Sequence, residues 1–381
     1  MSSLANPSGW RKLVRFIAIY GPGRALFKAA SRLRLDLALP GSRSAPRDVG
    51  IVGCGQFAFA TIGYFLKRAA RHRILACFDI DTGARESLGR AFAVPTVADS
   101  VEALLAAPGL RTVYIASNHA SHTPYAVQAL ARGIDVYVEK PIAVSFEQLV
   151  ALERARRDSR ARLFAGYNRP FSAAIVELRR GMPIARDGAV TMQCFVAGHV
   201  LAADHWYRRA GEGTRVCGNI GHWLDLFVHV LSWRSLPERL EITIASADPR
   251  EPDDNLCIAA TSERGDLLSV TLSARAEPFE GINETINIQH GETLCKIDDF
   301  RRSTVWQGER VRRRRHWPKD VGHRAALMQP FDRGSGREWA EVVASTLLML
   351  HIADMVGSGT RHSTFSFTDG AARLSAAVEP T

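Results

Sequence analysis

The chain contains little cysteine, and its cysteines stand far apart. There are six in 381 residues, and no two of them form a Cys-x-x-Cys pair; they are Cys54, Cys77, Cys194, Cys217, Cys257 and Cys295. This spacing excludes a dense disulfide framework and the paired cysteines of a zinc site. We therefore expect reduced thiols in packed cores, as is typical of a cytoplasmic protein.

We also expect no membrane-spanning segment, and the sequence contains no recognisable nucleic-acid-binding motif. No uninterrupted apolar run approaches the roughly 20 residues that span a bilayer. The net charge is +10, but no basic stripe interleaved with aromatic residues accompanies it, so we expect no nucleic-acid partner. The densest basic run, Arg312–Arg315, predicts a solvated loop; the alternative is a surface that attracts an anionic ligand or an acidic membrane. A length of 381 residues with 46% hydrophobic content suggests two domains with ample cores.

What the sequence does contain is a glycine-rich turn between a strand and a helix. The turn follows the apolar run Val49–Val52, precedes a helix-like stretch, Ala60–Ala70, and matches the pattern G-x-G-x-x-[GA]. The first glycine permits the tight turn, the second lets the backbone approach a pyrophosphate, and the small last residue lets the helix pack on the sheet. Phosphates would bind the free N–H groups at the positive end of that helix. The predicted dinucleotide-binding residues of the turn are Gly53, Gly55, Gln56, Phe57 and Ala58.

An acidic residue follows the next predicted strand, as the dinucleotide fingerprint requires. The strand is Ile74–Phe78, and Asp79 ends it. A carboxylate at this position accepts hydrogen bonds from the adenosine ribose hydroxyls and repels a 2′-phosphate, so NAD is favoured over NADP. Asp81 is expected to cap the helix that begins near Gly83, while Arg85 keeps NADP open as the lesser alternative.

The strand–helix unit then repeats. Thr112–Ala116 and Asp135–Val138 are predicted strands, and His122–Arg132 is a predicted helix between them. This alternation predicts an α/β Rossmann fold, a doubly wound parallel sheet, whose ligands bind beyond the carboxyl ends of the strands. The further predicted cofactor-binding residues are Ser117, Asn118, His122, Glu139 and Lys140.

Three short motifs occur in a characteristic order. They are Glu139-Lys140-Pro141 after an apolar strand, Gly166-Tyr167-Asn168-Arg169, and Asp225-x-x-x-His229. Together with the glycine-rich turn they resemble the Gfo/Idh/MocA oxidoreductases, named for glucose–fructose oxidoreductase and inositol dehydrogenase. The resemblance runs from about Asp48 to near Gly357. It implies an NAD(P)-dependent oxidoreductase acting on CH–OH groups, with Lys140 and His229 at the reacting carbon and Asp225 beside them.

The chain departs from the family pattern around the third motif. The family's loop before the aspartate usually consists of Gly-Gly and small residues, whereas Gly218–Trp223 stands here. A small residue is usual two positions after the aspartate, where this chain has Phe227. Both departures concern the shape of the substrate pocket rather than the chemistry.

After Gly166 the pattern changes to successive strands without intervening helices, which predicts a C-terminal α+β domain with a largely antiparallel sheet. The predicted strands are Ala189–Ala197, Leu240–Ile244, Leu256–Thr261, Leu267–Ala274, Thr285–Gln289 and Thr293–Ile297. Two helices are predicted, Ile220–Leu231 bordering the cleft between the domains and Ala344–Met355 near the end. The domains are then an N-terminal extension and linker (1–47), an NAD-binding domain (48–165) and a substrate and oligomerisation domain (166–381). In the family one face of such a sheet often serves oligomerisation, which implies a homo-oligomer, a dimer or a tetramer.

The substrate is predicted only by class. A loop from His199 to Arg209 combines aromatic rings, which stack on sugar faces, with arginines, which pair with phosphate or carboxylate. Trp206 and Tyr207 could equally be core anchors. The hypothesis is a sugar or nucleotide-sugar from surface-polysaccharide synthesis, bound by Tyr167, Arg169, His205, Trp206, Asn219 and His222. His199, His205 and His222 add candidate metal ligands near His229, but hydride transfer needs no metal and we expect none.

Three functions compete at this point. The first is an NAD-dependent dehydrogenase that oxidises a secondary hydroxyl of a sugar or nucleotide-sugar. The second is an NAD-dependent glycoside hydrolase, since some relatives use transient oxidation during glycoside cleavage. The third is a non-catalytic dinucleotide-binding regulator. Retention of the motif lysine, aspartate and histidine argues against the third, and no hydrolase-specific feature supports the second.

The expected mechanism places a base near the substrate hydroxyl. Asp225 and His229 are four residues apart on a predicted helix and so share a face. Histidine suits proton abstraction near neutral pH, with Asp225 holding one imidazole nitrogen or a substrate hydroxyl and Lys140 stabilising the developing alkoxide. The alternative is that Lys140 is itself the base, with its pKa lowered by the cationic nicotinamide.

Residues 1–47 lie outside the dinucleotide fold. Trp10, Leu13, Val14 and Ile17 follow helical spacing, and after a Gly21-Pro22-Gly23 break a second apolar stripe follows, consisting of Leu26, Phe27, Ala30 and Leu33. One interpretation is a helical hairpin docked on the protein's own surface or on a dimer partner. The other is a basic amphipathic anchor on an anionic membrane, peripheral at its inner face. Ser42–Arg47 is the predicted linker, and deletion of residues 1–40 is expected to leave NAD binding intact.

Overall fold

The chain divides into two structural units. The computed structural model describes residues 7–34, 46–69, 73–209, 211–276, 281–332, 334 and 336–379. The first unit consists of Met1–Ala143, Glu147–Gly166 and His323–Gly336. The second consists of Val144–Phe146, Tyr167–Gly322 and Arg337–Thr381. Each unit is described by itself.

The first unit is built on a parallel sheet of six strands. They are β1 (Val49–Val52), β2 (Ile74–Phe78), β3 (Thr96–Val97), β4 (Thr112–Ile115), β5 (Asp135–Val138) and β6 (Leu163–Ala165). Their spatial order is β3-β2-β1-β4-β5-β6 and neighbouring strands run parallel. The helices are α1 (Pro7–Leu33), α2 (Gly63–Ala69), α3 (Thr82–Phe92), α4 (Val101–Leu105), α5 (His119–Ala131), α6 (Phe146–Asp158) and α9 (His323–Met328). This is the doubly wound order, so the predicted Rossmann fold is confirmed.

The central strands are apolar along their whole length because both faces of the sheet are covered. Every residue of β1 and of β4 is buried, as expected for parallel strands between two helical layers. The segment His323–Gly336, which the sequence assigns to the C-terminal domain, belongs to this unit because Leu327 is fully buried in its core.

The N-terminal segment α1 is a helical hairpin rather than one helix. Gly21 breaks it with φ +79° and ψ 161°, and the ammonium of Lys28 lies 4.4 Å from the ring centroid of Phe16. Twelve residues of straight helix would span about 18 Å, so the chain must fold back. The predicted hairpin is confirmed; the predicted linker Ser42–Arg47 lies outside the described residues except at positions 46 and 47.

The second half of this hairpin is part of the unit's core. Phe27 is 6% exposed and Ala30 is fully buried, and the Phe27 ring lies 5.1 Å from that of Tyr64 and 6.0 Å from that of Phe92. Deletion of residues 1–40 would therefore uncover these rings. The packing argues against the expectation that such a deletion is harmless to the dinucleotide domain.

The second unit is built on a nine-stranded sheet. Its strands are β7 (Val190–Ala197), β8 (Arg239–Ser246), β9 (Asn255–Ser262), β10 (Leu267–Ser273), β11 (Asn283–His290), β12 (Thr293–Asp298), β13 (Arg302–Gln307), β14 (Arg310–Arg315) and β15 (His362–Ser366). The order is β14-β13-β12-β11-β7-β10-β9-β8-β15, and of these pairs only β7–β10 is parallel within the described residues. The helices of this unit are α7 (Ala173–Gly181), α8 (Gly221–Ser232), α10 (Trp339–Ser358) and α11 (Phe367–Val378). The predicted largely antiparallel sheet is confirmed.

The basic run Arg312–Arg315 is not the solvated loop that the sequence predicts. It lies in the edge strand β14, paired with β13, and all of its residues are exposed. Backbone pairing with β13 satisfies one edge of this strand while alternate arginine side chains extend from both faces. The other edge of β14 is unpaired, and the positive charge of the arginine side chains on this strand discourages the addition of another strand there.

One helix, α10, is long and apolar enough to cross a membrane by length and composition alone. The sequence analysis predicts no segment of the chain with these properties. The apolar side chains of Leu348, Met349 and Ile352 are buried in the second unit, where α10 packs on α8. A core helix passes the same test, so its packing accounts for its composition.

Candidate functional site

The glycine-rich turn has the geometry that a dinucleotide-binding turn needs. Gly53 has φ +90°, and a Cβ atom there would stand 2.5 Å from the carbonyl carbon and oxygen of Ala116, so only glycine fits. A Cβ atom at Gly55 would meet nothing within 4 Å, which leaves open space for a ligand against the backbone. Ala58 is fully buried and begins a short π-helical turn, Ala58–Ile62, that leads into α2. The tight turn and the buried Ala58 predicted from the sequence are present.

Asp79 lies beside this turn and is held by two backbone donors. Its Oδ2 accepts from the Cys54 N–H at 2.6 Å and its Oδ1 from the Asp81 N–H at 2.9 Å. Each carboxylate oxygen keeps a further lone pair for a ribose hydroxyl. Asp81 caps α3 by accepting from the Ala84 N–H at 3.1 Å, which confirms the predicted cap. The ribose contact of Asp79 stays a prediction. Arg85 donates to the Asp79 carbonyl oxygen at 3.3 Å.

His122 holds together the two loops that follow β4 and β5. Its side chain is 1% exposed. Its Nδ1 lies 2.8 Å from the Pro141 carbonyl oxygen and its Nε2 3.1 Å from that of Ser117. The structure therefore gives His122 a positioning role in place of the predicted direct contact with the cofactor. The neighbouring Ser121 hydroxyl bonds to the Ser117 hydroxyl at 2.7 Å and to Asn118 Oδ1 at 2.8 Å.

Glu139 and Lys140 end β5 and differ in environment. Glu139 is 7% exposed, accepts from the Tyr137 hydroxyl at 3.2 Å and from the Lys140 N–H at 3.3 Å. Burial raises the pKa of Glu139 to about 7, although the Lys140 charge and these hydrogen bonds act in the opposite direction. Lys140 is half-buried and its peptide bond to Pro141 is cis. A Cβ atom at Gly166 would stand 2.8 Å from Glu139 Cα, so the glycine that opens the second motif lets β6 approach this carboxylate.

In the second unit, His229 is oriented by Glu341 of α10 and not by Asp225. Its Nδ1 lies 2.8 Å from Glu341 Oε1, and the indole N–H of Trp233 lies 3.2 Å from its Nε2. A carboxylate only accepts and an indole only donates, so these partners assign a neutral ring with the proton on Nδ1. Burial would raise the pKa of Glu341, but the hydrogen bond from His229 and the charge and hydrogen bond of Arg337 outweigh it and lower the pKa to about 2.

Asp225 is buried in a separate ion pair. Arg337 Nη1 lies 2.7 and 2.6 Å from its two carboxylate oxygens, and the Ser345 hydroxyl donates to Oδ1 at 2.9 Å. Asp225 is 1% exposed, and burial raises its pKa despite these partners. The expectation that Asp225 holds an imidazole nitrogen of His229 is therefore wrong, because Asp225 is paired with Arg337, just before α10, and His229 with Glu341, in the first turn of α10.

Two of the predicted substrate-binding residues are buried and bonded inside the second unit. Arg169 is 4% exposed, binds both carboxylate oxygens of Glu284 at 2.8 and 2.9 Å, and stacks over the ring of Trp223 at 4.5 Å. Tyr167 is 1% exposed, its hydroxyl lies 3.8 Å from Met349 Sδ, and burial raises its pKa. Neither side chain is available to a substrate in this conformation, so their predicted roles are corrected to structural ones.

The aromatic loop predicted to line a pocket is half-buried. His205 caps a short 3-10 turn, Trp206–Arg208, by accepting from the Tyr207 N–H at 3.2 Å, and its ring stacks on Trp206 at 5.8 Å. Burial, reinforced by nearby arginine charges, lowers the pKa of His205. Arg208, which was expected to attract an anionic sugar, instead pairs with Glu251 and Asp254.

The remaining predicted substrate residues precede α8. Asn219 is 5% exposed within a π-helical turn, Val216–Ile220, whereas His222 is half-buried. A Cβ atom at Gly221 would stand 2.7 Å from Met349 Sδ, so this glycine lets α10 pack closely. Among the described residues, no group of three or more His, Cys, Asp or Glu side chains could hold a metal ion.

Sequence reasoning missed Glu341 and Arg337, which lie 112 residues after the side chains that they contact. The available signal was their spacing: the two charges stand four residues apart, one just before and one within the first turn of the mostly apolar helix α10. Charged residues on such a helix must be exposed or paired. The partner could not be named without the fold.

Comparison with known proteins agrees with this geometry. The family model described as "Oxidoreductase family, NAD-binding Rossmann fold" (GFO_IDH_MocA) matches residues 47–167. An inositol 2-dehydrogenase of Ralstonia nicotianae is 27% identical over 147 residues, 38% of this chain and 44% of that enzyme. The chain thus spans less than half the length of this relative. The myo-inositol dehydrogenase Hyg17 of Streptomyces leeuwenhoekii is 26% identical over 255 residues, 64% of this chain and 77% of that enzyme.

Among solved structures, the fold resembles that of the WlbA dehydrogenase of Bordetella pertussis, crystallised with NADH and UDP-GlcNAcA. The TM-score is 0.65 at 18% identity, with 84% of this chain and 98% of that chain covered. The glycine-rich turn, the parallel sheet and the matched segment together show that residues 47–167 form an NAD-binding Rossmann domain of the kind found in the Gfo/Idh/MocA oxidoreductase family.

Proposed function

We propose that this protein is an NAD-dependent dehydrogenase that oxidises a secondary hydroxyl of a sugar or nucleotide-sugar. The observation that carries the proposal is the pairing of the Gly53 turn with Asp79. A turn that only glycine can form, open space at Gly55 and a fixed carboxylate at the end of β2 fit the two ends of an adenosine diphosphate.

NAD is proposed over NADP because of the charge at the ribose end. Asp79 is half-buried and presents two oxygens that suit a 2′-hydroxyl and repel a 2′-phosphate. Arg85 is the nearby cation that would favour NADP, but it donates to the Asp79 backbone. Bound NAD would supply the hydride acceptor, and the chain's own residues would have to remove the hydroxyl proton.

Lys140 and His229 are the proposed proton-handling residues. Lys140 stands at the carboxyl end of β5, where parallel sheets bind ligands, and an ammonium there would stabilise a developing alkoxide. His229 is neutral in its contacts with Glu341 and Trp233 and so is in the basic form. Its Nε2 lone pair is occupied by the Trp233 indole, which must turn away before His229 can take a proton.

The nucleotide-sugar, with a role in surface-polysaccharide synthesis, is the more specific substrate proposal, and a free polyol is the alternative. The UDP-GlcNAcA bound to the Bordetella pertussis WlbA dehydrogenase supports the first. The inositol dehydrogenases support the second, as does the internal pairing of Arg208, which removes one cation from the set that could meet an anionic sugar.

We also propose a cytoplasmic homo-oligomer. Five cysteines are buried, one is half-buried, and all are free thiols, which suits a reducing compartment. The face of the nine-stranded sheet away from the helices exposes Phe195, Leu267 and Leu294, at 53%, 42% and 40%. Exposed apolar side chains on one sheet face mark a site of association.

A substrate panel tests these proposals. The purified protein is incubated with NAD or NADP and with nucleotide-sugars, free sugars and polyols, and NADH absorbance is followed. Turnover with a nucleotide-sugar and NAD is the expected result, whereas turnover of neutral polyols alone would rule out the anionic substrate. Release of an aglycone without net NADH would indicate the hydrolase, and tight NAD binding without turnover of any compound would indicate a regulator.

A further inference from the structure

The N-terminal hairpin carries charge of one sign. The first 34 residues of the chain contain seven basic side chains and no acidic one; the basic residues are Arg11, Lys12, Arg15, Arg24, Lys28, Arg32 and Arg34. The chain as a whole has a net charge of +10, so this short segment holds most of the excess. A cluster of this kind creates a local positive potential that attracts anionic surfaces.

The first helical segment of the hairpin also exposes an apolar stripe. Trp10 is 65% exposed and Val14 47% exposed. The two are four residues apart and therefore adjacent on one face, where Leu13 and Ile17 are half-buried. Arg11 and Arg15 are exposed and lie beside this stripe, each about 100° around the helix from the apolar residue that precedes it. An apolar stripe flanked by cations, with tryptophan at its outer end, is the arrangement of helices that lie in the interface of a bilayer.

The opposite side of the hairpin is attached to the first unit. Ile19 and Ala25 are each 3% exposed, Ala30 is fully buried, and Phe27 contacts the rings of Tyr64 and Phe92. The inward and outward apolar side chains therefore have different roles. The inward set fixes the hairpin to the dinucleotide-binding unit, so any surface that takes the outward set would carry that unit with it.

We propose that the hairpin of residues 7–34 binds the surface of an anionic lipid bilayer. A second copy of the hairpin carries the same seven positive charges and would be repelled. A nucleic acid would meet the cations but would leave Trp10 and Val14 in water. A bilayer of anionic lipid meets both features, because its headgroups attract the cations and its acyl boundary takes the apolar side chains.

The test uses the full-length protein and sedimentation with sucrose-loaded vesicles. One set of vesicles is phosphatidylcholine alone and the other contains 30% phosphatidylglycerol, a composition that we choose to give a negative surface (on the order of −30 mV). Binding is expected only to the anionic vesicles, with release in about 1 M salt, where screening reduces the Debye length to about 3 Å. Equal binding to both vesicle types, or to neither, would overturn the proposal.

Two variants separate the contribution of the positive charges from that of the apolar side chains, and a third variant is the matched control. Replacing Arg11, Lys12 and Arg15 by Gln is expected to weaken partitioning about 100-fold, at about fivefold per cation. Trp10→Ser with Val14→Ser is expected to weaken it at least tenfold through lost apolar burial. Arg313, Arg314 and Arg315→Gln removes the same charge from the exposed strand β14 and is expected to have little effect.

The outcomes distinguish the bilayer from other anionic partners. If the control weakens binding as much as the triple substitution in the hairpin, attraction is a property of net charge and the proposal fails. If the Trp10 and Val14 substitutions change nothing, contact is ionic only, as it would be with an acidic protein, and the proposal also fails. All substituted side chains are exposed, and an unchanged melting temperature and NADH affinity verify the fold.

Discussion

The imidazole of His229 is bound to Glu341, 2.8 Å away, and not to Asp225, the acid with which it shares a motif and a helix. Asp225 is bound to Arg337 in turn. The D-x-x-x-H segment thus contributes two residues whose partners both come from the segment 337–341, which leads into and begins α10. If His229 takes the substrate proton, Glu341 is the carboxylate that fixes its tautomer and stabilises its charged form.

Glu341→Gln is therefore expected to reduce kcat by about 10–100-fold, a part of the ~10²–10⁴ that a positioned general base contributes. Binding of NADH should stay within a few-fold, and the acid limb of the pH–kcat profile should move. Ser232→Ala is the matched control, because the Ser232 hydroxyl also bonds to Glu341, at 3.1 Å, without touching the ring nitrogens. A normal kcat and an unchanged pH–kcat profile in Glu341→Gln would show that Glu341 does not position His229.

Separate substitutions of His229 and Lys140 by Ala decide which residue is the base. Loss of the base is expected to cost about 10²–10⁴-fold in turnover, with little change in cofactor affinity. Lys296→Ala, an exposed lysine on β12, controls for general loss of positive charge. Near-normal turnover of His229→Ala across pH together with inactive Lys140→Ala would show that the lysine is the base.

Glu139 makes stability depend on pH in a defined direction. Its pKa is raised from 4.5 to about 7 by burial, so the native state keeps a proton that the unfolded chain loses. The stability contribution is complete below pH 4.5 and is lost as the pH rises through 7. A neutral Glu139→Gln side chain should therefore raise the free energy of unfolding at pH 8 by on the order of 3 kcal/mol, and by little at pH 4.5.

Denaturant unfolding at the two pH values measures this difference. Glu292→Gln is the control, since Glu292 is exposed in the turn between β11 and β12. This substitution should leave the free energy of unfolding unchanged at both pH values. A gain at pH 4.5 equal to that at pH 8 would mean that protonation of Glu139 is not responsible.

Asp79→Asn tests the cofactor assignment. Loss of a charged acceptor for the ribose hydroxyls is expected to weaken NAD binding by about 10–100-fold. The ratio of the affinity for NAD to that for NADP should also become smaller. Asp81→Asn makes the same chemical change two residues away, at a helix cap where asparagine serves as well as aspartate, and should change neither. Titration of intrinsic fluorescence with each nucleotide provides the affinities; equal effects of the two substitutions would contradict the assignment.

Arg169→Ala separates a structural from a substrate-binding role. The buried pair with Glu284 predicts a loss of about 3–5 kcal/mol in unfolding free energy, because the carboxylate is left without its partner. Arg180→Ala, at an exposed position on α7, should be nearly neutral. A raised KM with an unchanged melting temperature would restore the substrate-binding interpretation of Arg169.

The sequence by itself determined the Rossmann unit and the cofactor cradle. The strands Val49–Val52, Ile74–Phe78 and Asp135–Val138 occur as predicted, because buried parallel strands are continuous apolar runs bounded by turn residues. The cap at Asp81 is local to three residues, and Asp79 meets the Cys54 N–H within one strand–helix–strand unit, whose length the sequence pattern already includes. The strands of the second unit could also be predicted, since alternation along one chain segment reports a half-buried sheet.

Only the tertiary structure decided which charges meet. Asp225 and His229 find Arg337 and Glu341 across 112 residues, and Arg169 finds Glu284 across 115. Arg312–Arg315 became a strand because β13 lies beside it to accept its hydrogen bonds. Periodicity describes the faces of an element but not what packs against them. Buried charges take their partners from the segment that packs beside them. For the two α8 residues that segment is the start of α10, and for Arg169 it is β11.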